Sequence, residues 1–243
     1  MLPGAYKRWG AVIHQLIFAH PKPGMTEKEF QDYWVNVHAV NFASKIPQIK
    51  KYLIDVRIPF GPEPDDPRFS GIAEIWLNNE TEQLESLQTP EFLQGARLDE
   101  PKWAAFWRTV GMDTTTHVLL EGPPLSRDST MIKLVAMVKR KEGVPLETFR
   151  RYSLEVHAPL DLKLPGLRRY YQCHVRDGAY GIGESLLDGV AMLWFDNVEA
   201  LNAAIASPEN DAAAADLANF IELRYAHTFV VREHWIIGPD PRP

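Results

Sequence analysis

The chain has 243 residues, 45% of them hydrophobic and 24% charged, with a formal net charge of −6. This is an ordinary globular composition, long enough for two small cores or one shared core, and the acidic balance argues against a surface made for nucleic acid or anionic lipid. The single cysteine, Cys173, excludes an intrachain disulfide and a cysteine-rich metal site; no apolar run approaches the ~18 residues that a membrane helix needs, and residues 1–9 carry no apolar signal core, so a reducing cytoplasm is the expected setting.

The first predicted strand is Val12-Ile13-His14-Gln15-Leu16-Ile17-Phe18, short and rich in β-branched residues. Gly24 ends the turn after it. Thr26-Glu27-Lys28-Glu29 is a capping box, and Phe30, Tyr33, Trp34, Val37 and His38 form the apolar stripe of a helix that ends before Pro47. Lys51 to Val56 reads as a second strand. The Pro59–Pro67 stretch is too proline-rich for a strand. Ile72 to Leu77 is a third strand, Thr81–Leu87 and Pro90–Ala96 are helical, and His117–Leu120 closes the set. Gly122 to Asp128 has the composition of a linker.

The order then repeats. Gly24-Met25-Thr26-Glu27-Lys28-Glu29-Phe30, Tyr33 and Val37-His38-Ala39 return 119 positions later as Gly143-Val144-Pro145-Leu146-Glu147-Thr148-Phe149, Tyr152 and Val156-His157-Ala158. After a one-residue slip, Lys50-Lys51-Tyr52 matches Arg168-Arg169-Tyr170, Gly71–Leu77 matches Gly189–Phe195, and Thr89-Pro90-Glu91 matches Ser207-Pro208-Glu209. Ile132–Val138, Arg169–Val175 and Val190–Phe195 are the strands of the second copy, Asp177–Gly183 is its glycine-rich turn, Val198–Ala206 and Asp211–Leu223 are helical, and His234–Ile237 closes it. A period this long marks two copies of a domain, not a solenoid. Four strands and two helices in β-α-β-β-α-β order is the ferredoxin-like pattern. The predicted class is α+β: repeats at 10–122 and 130–238, packed sheet to sheet as a pseudo-twofold barrel within one chain.

The repeat keeps a histidine in one setting. His38 and His157 sit on the apolar stripe of their helices, each one to two turns after a tyrosine, Tyr33 or Tyr152. A buried, neutral histidine bonded to a backbone carbonyl would look the same. A histidine in an apolar cleft is also suited to proton transfer near neutrality, which makes His38 and His157 the catalytic candidates. Tyr33, Trp34, Trp76, Tyr152, His174, Trp194 and His234 are the candidates for contacting a substrate. Trp76 and Trp194, matched on the third strands, read equally well as core. His174 has no twin, since Val56 stands in its place. His117 and His234 read as half-exposed, His20 as surface, and Lys50-Lys51 and Arg168-Arg169 as solvated strand ends. Glu74 reads as a solvated carboxylate or as a partner for His38. No P-loop, H-E-x-x-H or G-x-S-x-G occurs, Gly178–Gly183 lacks the strand-to-helix junction of a dinucleotide site, and no pair of histidines has metal-ligand spacing.

Phe149-Arg150-Arg151-Tyr152-Ser153-Leu154-Glu155-Val156-His157-Ala158-Pro159-Leu160, Leu164-Pro165-Gly166-Leu167-Arg168-Arg169-Tyr170 and Gly189–Asp196 resemble an EthD-family domain, and Phe30–Ala39 with Gly71–Leu77 resemble a second, more divergent copy. The resemblance covers nearly the whole chain. It implies the dimeric α+β barrel fold and a cleft between each sheet and its helices, with the family histidine falling on His157 and His38. It also implies a range of activities: cofactor-free cyclases, isomerases, dehydratases and decarboxylases, quinone-forming monooxygenases and haem-binding relatives. The expectation is a lyase or isomerase without cofactor or metal, acting on a hydrophobic aromatic or cyclic oxygenated small molecule. Two alternatives stand beside it, a non-catalytic binding protein of an oxidative degradation or biosynthetic pathway and a haem-dependent or cofactor-free monooxygenase. The expected partner is the small molecule, with no nucleic acid or membrane; a homodimer of the fused pair stays open. Trp34 against Ser153 and Val40 against Pro159 predict unequal clefts.

Overall fold

The computed structural model describes residues 7–8 by their backbone, and 12–62, 66–181 and 183–243 in full. The readings made on the rest of residues 1–9, on 63–65 of the proline-rich turn and on Ile182 lie outside the described residues. Among the described residues nine strands and several short helices form: β1 (Lys7–Arg8), β2 (Ile13–Ala19), β3 (Lys51–Ile58), β4 (Gly71–Leu77), β5 (Val110–Leu120), β6 (Ile132–Val138), β7 (Leu167–Val175), β8 (Gly189–Phe195) and β9 (His227–Ile237). Each repeat has the predicted order, and the class is α+β with two fused ferredoxin-like repeats. Among the described residues no helix is long and apolar enough to cross a membrane.

The chain forms two compact units. The first holds the first repeat up to Asp113, with residues 125–129 and 231–243; the second holds residues 114–124 and 130–230. The closing strands β5 and β9 are longer than the four residues predicted for each, and each divides between the units.

In the first unit, β4 lies between β2 and β3, antiparallel to both. The register sets His14 opposite Trp76, Leu16 opposite Glu74 and Phe18 opposite Ile72. Side chains alternate across a strand, so Gln15, Ile17, Ala19, Ala73, Ile75 and Leu77 share the other face, under the helices. The helix opens as its sequence dictates: Thr26 N–H donates to Glu29 Oε2 at 2.8 Å, and Glu29 N–H donates to Thr26 Oγ1 at 3.2 Å. Gly24, at φ +85°, makes the turn before it, as Gly143 does at φ +81° in the second repeat. The helix is not uniform. α1 (Glu27–Tyr33) passes into a π-helical turn at Trp34–His38 and returns to α2 (Ala39–Asn41). Phe30 and Trp34 are fully buried and pack with Trp103, Tyr52 and Ile54.

The second unit repeats this. β8 lies between β6 and β7, with Lys133 opposite Trp194 and Ala136 opposite Ala191, and β5 pairs with β7 from Thr114 to Leu120. α5 (Leu146–Tyr152) begins after Pro145, passes into a π-helical turn at Ser153–His157, and continues as α6 (Ala158–Asp161). The later helices are α3 (Glu80–Ser86) and α4 (Arg97–Asp99) in the first repeat, and α7 (Val198–Ile205) and α8 (Pro208–Leu217) in the second. α8 stops short of the predicted Leu223, because Ile221 turns into an isolated bridge with Arg140.

Three surface expectations fail for one reason: these side chains are covered by neighbouring chain. Arg169 is 1% exposed, with its guanidinium on the carbonyls of Glu121 and Pro123. Lys51 lies 4.4 Å over the Trp76 ring, and burial pulls its amine down to about 8. His20 is buried, with Nε2 2.7 Å from Asp66.

Candidate functional site

Each repeat forms a cavity between the helix-facing side of its sheet and the helices above it. The first is about 330 Å³ and is walled by Ile17, Trp34, Tyr52, Ile75, Phe92 and Trp103; the second is about 190 Å³ and is walled by Leu134, Phe149, Leu164, Leu193, Leu217 and Phe220. His38 lines the first and His157 the second. Both sit at the last position of a π-helical turn, a local unwinding that recurs at functional positions in proteins.

A carboxylate from a later helix meets each histidine. His38 Nδ1–H donates to Asp99 Oδ2 at 2.9 Å, and the Tyr33 hydroxyl donates to Asp99 Oδ1 at 2.9 Å. His157 Nδ1–H donates to Asp216 Oδ2 at 3.0 Å, and the Tyr152 hydroxyl donates to Asp216 Oδ1 at 2.7 Å. Lys102 adds a bond to Asp99 at 3.0 Å, and Asn219 one to Asp216 at 2.9 Å. An aromatic ring faces each imidazole, Trp103 at 4.7 Å and Phe220 at 4.9 Å. Thus Tyr, His, Asp and an aromatic ring occur twice in one geometry, and the two tyrosines orient the aspartates without lining either cavity.

The copies differ at the outer nitrogen. His38 Nε2 has no hydrogen-bond partner among the described residues, so the Nδ1–H bond to Asp99 leaves its lone pair available in the cleft. His157 Nε2 lies 3.3 Å from Asp161, four residues on, where the first repeat has Phe42. Charge follows from these partners. Burial pulls the His38 pKa below its ordinary value, and the Asp99 bond opposes this without overcoming it. Lys102 also pairs with Asp99, and burial favours the neutral imidazole. Burial also acts on His157, but Asp161 and Asp216 together outweigh it and hold its pKa above the ordinary value. Carboxylates beside both nitrogens favour the protonated form of His157. Both aspartates are held below the usual carboxylate range: burial raises each, and the histidine, tyrosine and amine or amide bonds outweigh it.

The other sequence candidates fall in two groups. Trp34 and His174 line the cavities. His174 is buried, its Nε2 3.0 Å from Ser153 Oγ and 3.2 Å from Gln172 Oε1, and burial first, then the nearby His117 and Arg150, hold it well below its ordinary pKa. Trp76, Trp194 and His234 are not in either cavity wall. Trp76 stacks on His14 at 4.3 Å and on Trp235 at 5.9 Å; Trp194 packs on Tyr171 at 4.9 Å. His234 is half-buried on β9. Glu74 is buried and pairs with His14 at 2.7 Å, not with His38, because it lies on the sheet face away from the helix.

The sequence reading missed Asp99, Asp216, Asp161 and Trp103. A signal for most of them was present. Asp99-Glu100-Pro101-Lys102-Trp103 and Asp216-Leu217-Ala218-Asn219-Phe220 share an Asp-x₃-aromatic pattern 117 positions apart, one further slip in the repeat register. Trp103 also carries a buried indole N–H without an acceptor, a donor left over in the wall of the first cavity.

Fold and site together define an α+β protein of two ferredoxin-like repeats, each with a His–Asp–Tyr group beside a largely apolar cavity. The EthD domain model matches residues 22–106 and 141–224, more than half the chain, and the protein belongs to that family. No curated protein sequence matches it. Solved structures share the fold across the full length. An anthrone oxidase-like protein is similar with a TM-score of 0.64 at 9% identity, covering 93% of each chain. A provisionally assigned monooxygenase of Fusobacterium nucleatum subsp. nucleatum is similar with a TM-score of 0.63 at 9% identity, covering 97% of this chain and 99% of its own. A provisionally assigned monooxygenase of Lactobacillus acidophilus gives 0.53 at 12% identity, covering 92% and 94%. At these identities the likeness is one of fold.

Proposed function

We propose that the first repeat is an acid–base active site in which His38 takes a proton from a hydrophobic aromatic or cyclic oxygenated molecule, next to a carbonyl or phenol oxygen, without a cofactor. The observation that carries this is the Asp99-held imidazole with its Nε2 lone pair in a cavity of about 330 Å³. Asp99 fixes the tautomer and stabilises the imidazolium formed after proton transfer, the role an orienting carboxylate has beside a histidine base. Trp34, Trp103 and Phe92 supply flat apolar walls for a ring. Proton abstraction followed by return of the proton elsewhere is isomerisation; abstraction followed by departure of a β-substituent is a lyase reaction. The reading therefore stays with a lyase or isomerase and assigns the base.

The experiment is hydrogen exchange in D₂O on a panel of cyclic ketones and phenolic ketones, followed by NMR. The wild-type protein is expected to catalyse exchange α to the carbonyl, His38→Ala to lose it, and His157→Ala to keep it. If both variants exchange at the wild-type rate, His38 is not the base. A second reading shares the first step: a cofactor-free monooxygenase would also begin by deprotonating such a molecule, and the names of two fold neighbours favour it. Oxygen uptake with the same panel separates the two, since isomerisation and elimination consume none.

A further inference from the structure

The second repeat supplies from its own chain an oxygen that the first repeat does not. There, Asp161 Oδ2 accepts from the Tyr170 hydroxyl at 2.7 Å and lies 3.3 Å from His157 Nε2. One carboxylate oxygen thus sits between a phenol and an imidazole. The first repeat keeps both flanking groups. His38 is the twin of His157, and Tyr52 on β3 is the twin of Tyr170 on β7; both line the first cavity. Among the described residues no carboxylate bonds to the two together, because Phe42 stands where Asp161 does. The Phe42 ring does not take that place either. Its centroid is 6.2 Å from that of His38, it packs toward Gly95, and it is not part of the cavity wall.

The two groups in the first cavity are complementary. The Trp34 indole N–H donates to the Tyr52 hydroxyl oxygen, and the hydroxyl's own proton goes to no acceptor among the described residues. Burial raises the Tyr52 pKa, so the phenol remains a donor. Glu100, in the same wall, is taken up by Arg97 at 2.7 Å. His38 presents a lone pair at Nε2. A carbonyl or ether oxygen can serve Tyr52 alone. A hydroxyl serves both, donating to Nε2 and accepting from Tyr52. We infer that Tyr52 and His38 together seat the hydroxyl of a phenol or enol, at the position that the Asp161 oxygen takes in the second repeat. This rests on the first cavity being the site proposed above, and it narrows the substrate class to rings that carry an acidic hydroxyl. Proton transfer breaks the O–H bond, forms N–H at His38 Nε2 and leaves the electron pair on an oxygen that Tyr52 still holds. The bond from Tyr52 strengthens at that moment, since its acceptor becomes charged.

The test uses the full chain with labelled methyl groups, titrated separately with 2-naphthol, 2-methoxynaphthalene and naphthalene. NMR contacts to the methyls of Ile75 and Leu77 place each ligand in the first cavity. The naphthol hydroxyl can serve both groups, the methoxy oxygen only Tyr52, and naphthalene neither. The wild-type protein is expected to bind 2-naphthol about tenfold more tightly than the other two, or better. Tyr52→Phe is expected to weaken 2-naphthol by about tenfold and to leave naphthalene unchanged. Phe42→Asp, which brings in the carboxylate of the second repeat, is expected to abolish the preference for 2-naphthol. Equal binding of the three ligands by the wild-type protein, a result that needs no variant to fold, overturns the inference. So does a preference that survives Tyr52→Phe, and if His38→Ala still loses hydrogen exchange the base stands without this seat. A preference that depends on Tyr52, in a protein that exchanges no ketone, upholds the seat and rejects the base.

Discussion

Phe42 and Asp161 occupy the same position in their repeats, and that one difference separates two histidines that are otherwise held alike. The carboxylate of Asp161 gives His157 a second acceptor; the ring of Phe42, 6.2 Å from His38, gives none. Measured by NMR, His38 should titrate below the ordinary value of 6.5 and His157 above it. The consequences for stability have opposite signs. The raised pKa of His157 contributes stability that is present below about pH 6.5 and is lost as pH rises through its folded value; the lowered pKa of His38 costs stability as pH falls below about 6.5. His157→Gln should therefore destabilise the protein more at pH 6 than at pH 9 in denaturant unfolding. Phe42→Asp should raise the pKa of His38 and reduce exchange activity by about 10²–10⁴, the range of a general base; a variant whose His38 still titrates below 6.5 would show that the second carboxylate is not the cause. The histidines themselves were legible in the sequence as a repeated stripe residue. Asp99 and Asp216 stand in a repeated Asp-x₃-aromatic pattern, but their pairing with the histidines was not legible, because they lie 61 and 59 residues further on and nothing local links them to the histidine helix.

At the scale of elements, local rules account for most of what formed. Asn79 and Asn197 cap α3 and α7, accepting from the N–H groups of Glu82 and Ala200 at 2.9 Å each; replacing Asn197 with Ala should cost about 1 kcal/mol in denaturant unfolding. The Thr26–Glu29 box was readable from four residues at the start of the helix it opens. The π-helical turns were not readable, since the stripe Phe30, Trp34, His38 fits an α-helix equally well. What selects the wider turn is where Trp34 and His38 must both go, one into the core with Phe30 and Trp103, the other onto Asp99. The end of α8 shows the same limit. Alanine-rich sequence favours helix through Ala218, yet Phe220 and Ile221 leave it to pack with Phe149.

At the scale of the whole chain, the compact units do not follow the sequence repeats to their ends. Residues 231–243 belong to the unit that holds His38. In that unit Arg242 donates to the carbonyls of Ser44 and Ile46 and its N–H to that of Lys50, and Arg127 donates to the carbonyl of Trp235 at 2.8 Å. Truncation after Val230 should thus loosen the first repeat, although the cut lies at the end of the second. Hydrogen exchange should show it as lost protection in β3 and β4; unchanged protection there would refute the assignment.

The sequence by itself determined the number of repeats, the order of their strands and helices, and the inward placement of one histidine in each, because these depend on spacing within a few turns of chain. Only the tertiary structure decided which carboxylates reach those histidines, which sheet face receives Trp76, Trp194 and Glu74, and which imidazole keeps a free nitrogen. Those depend on strand register and on helices brought together from about sixty residues apart, where a shift of one residue exchanges the two faces of a sheet.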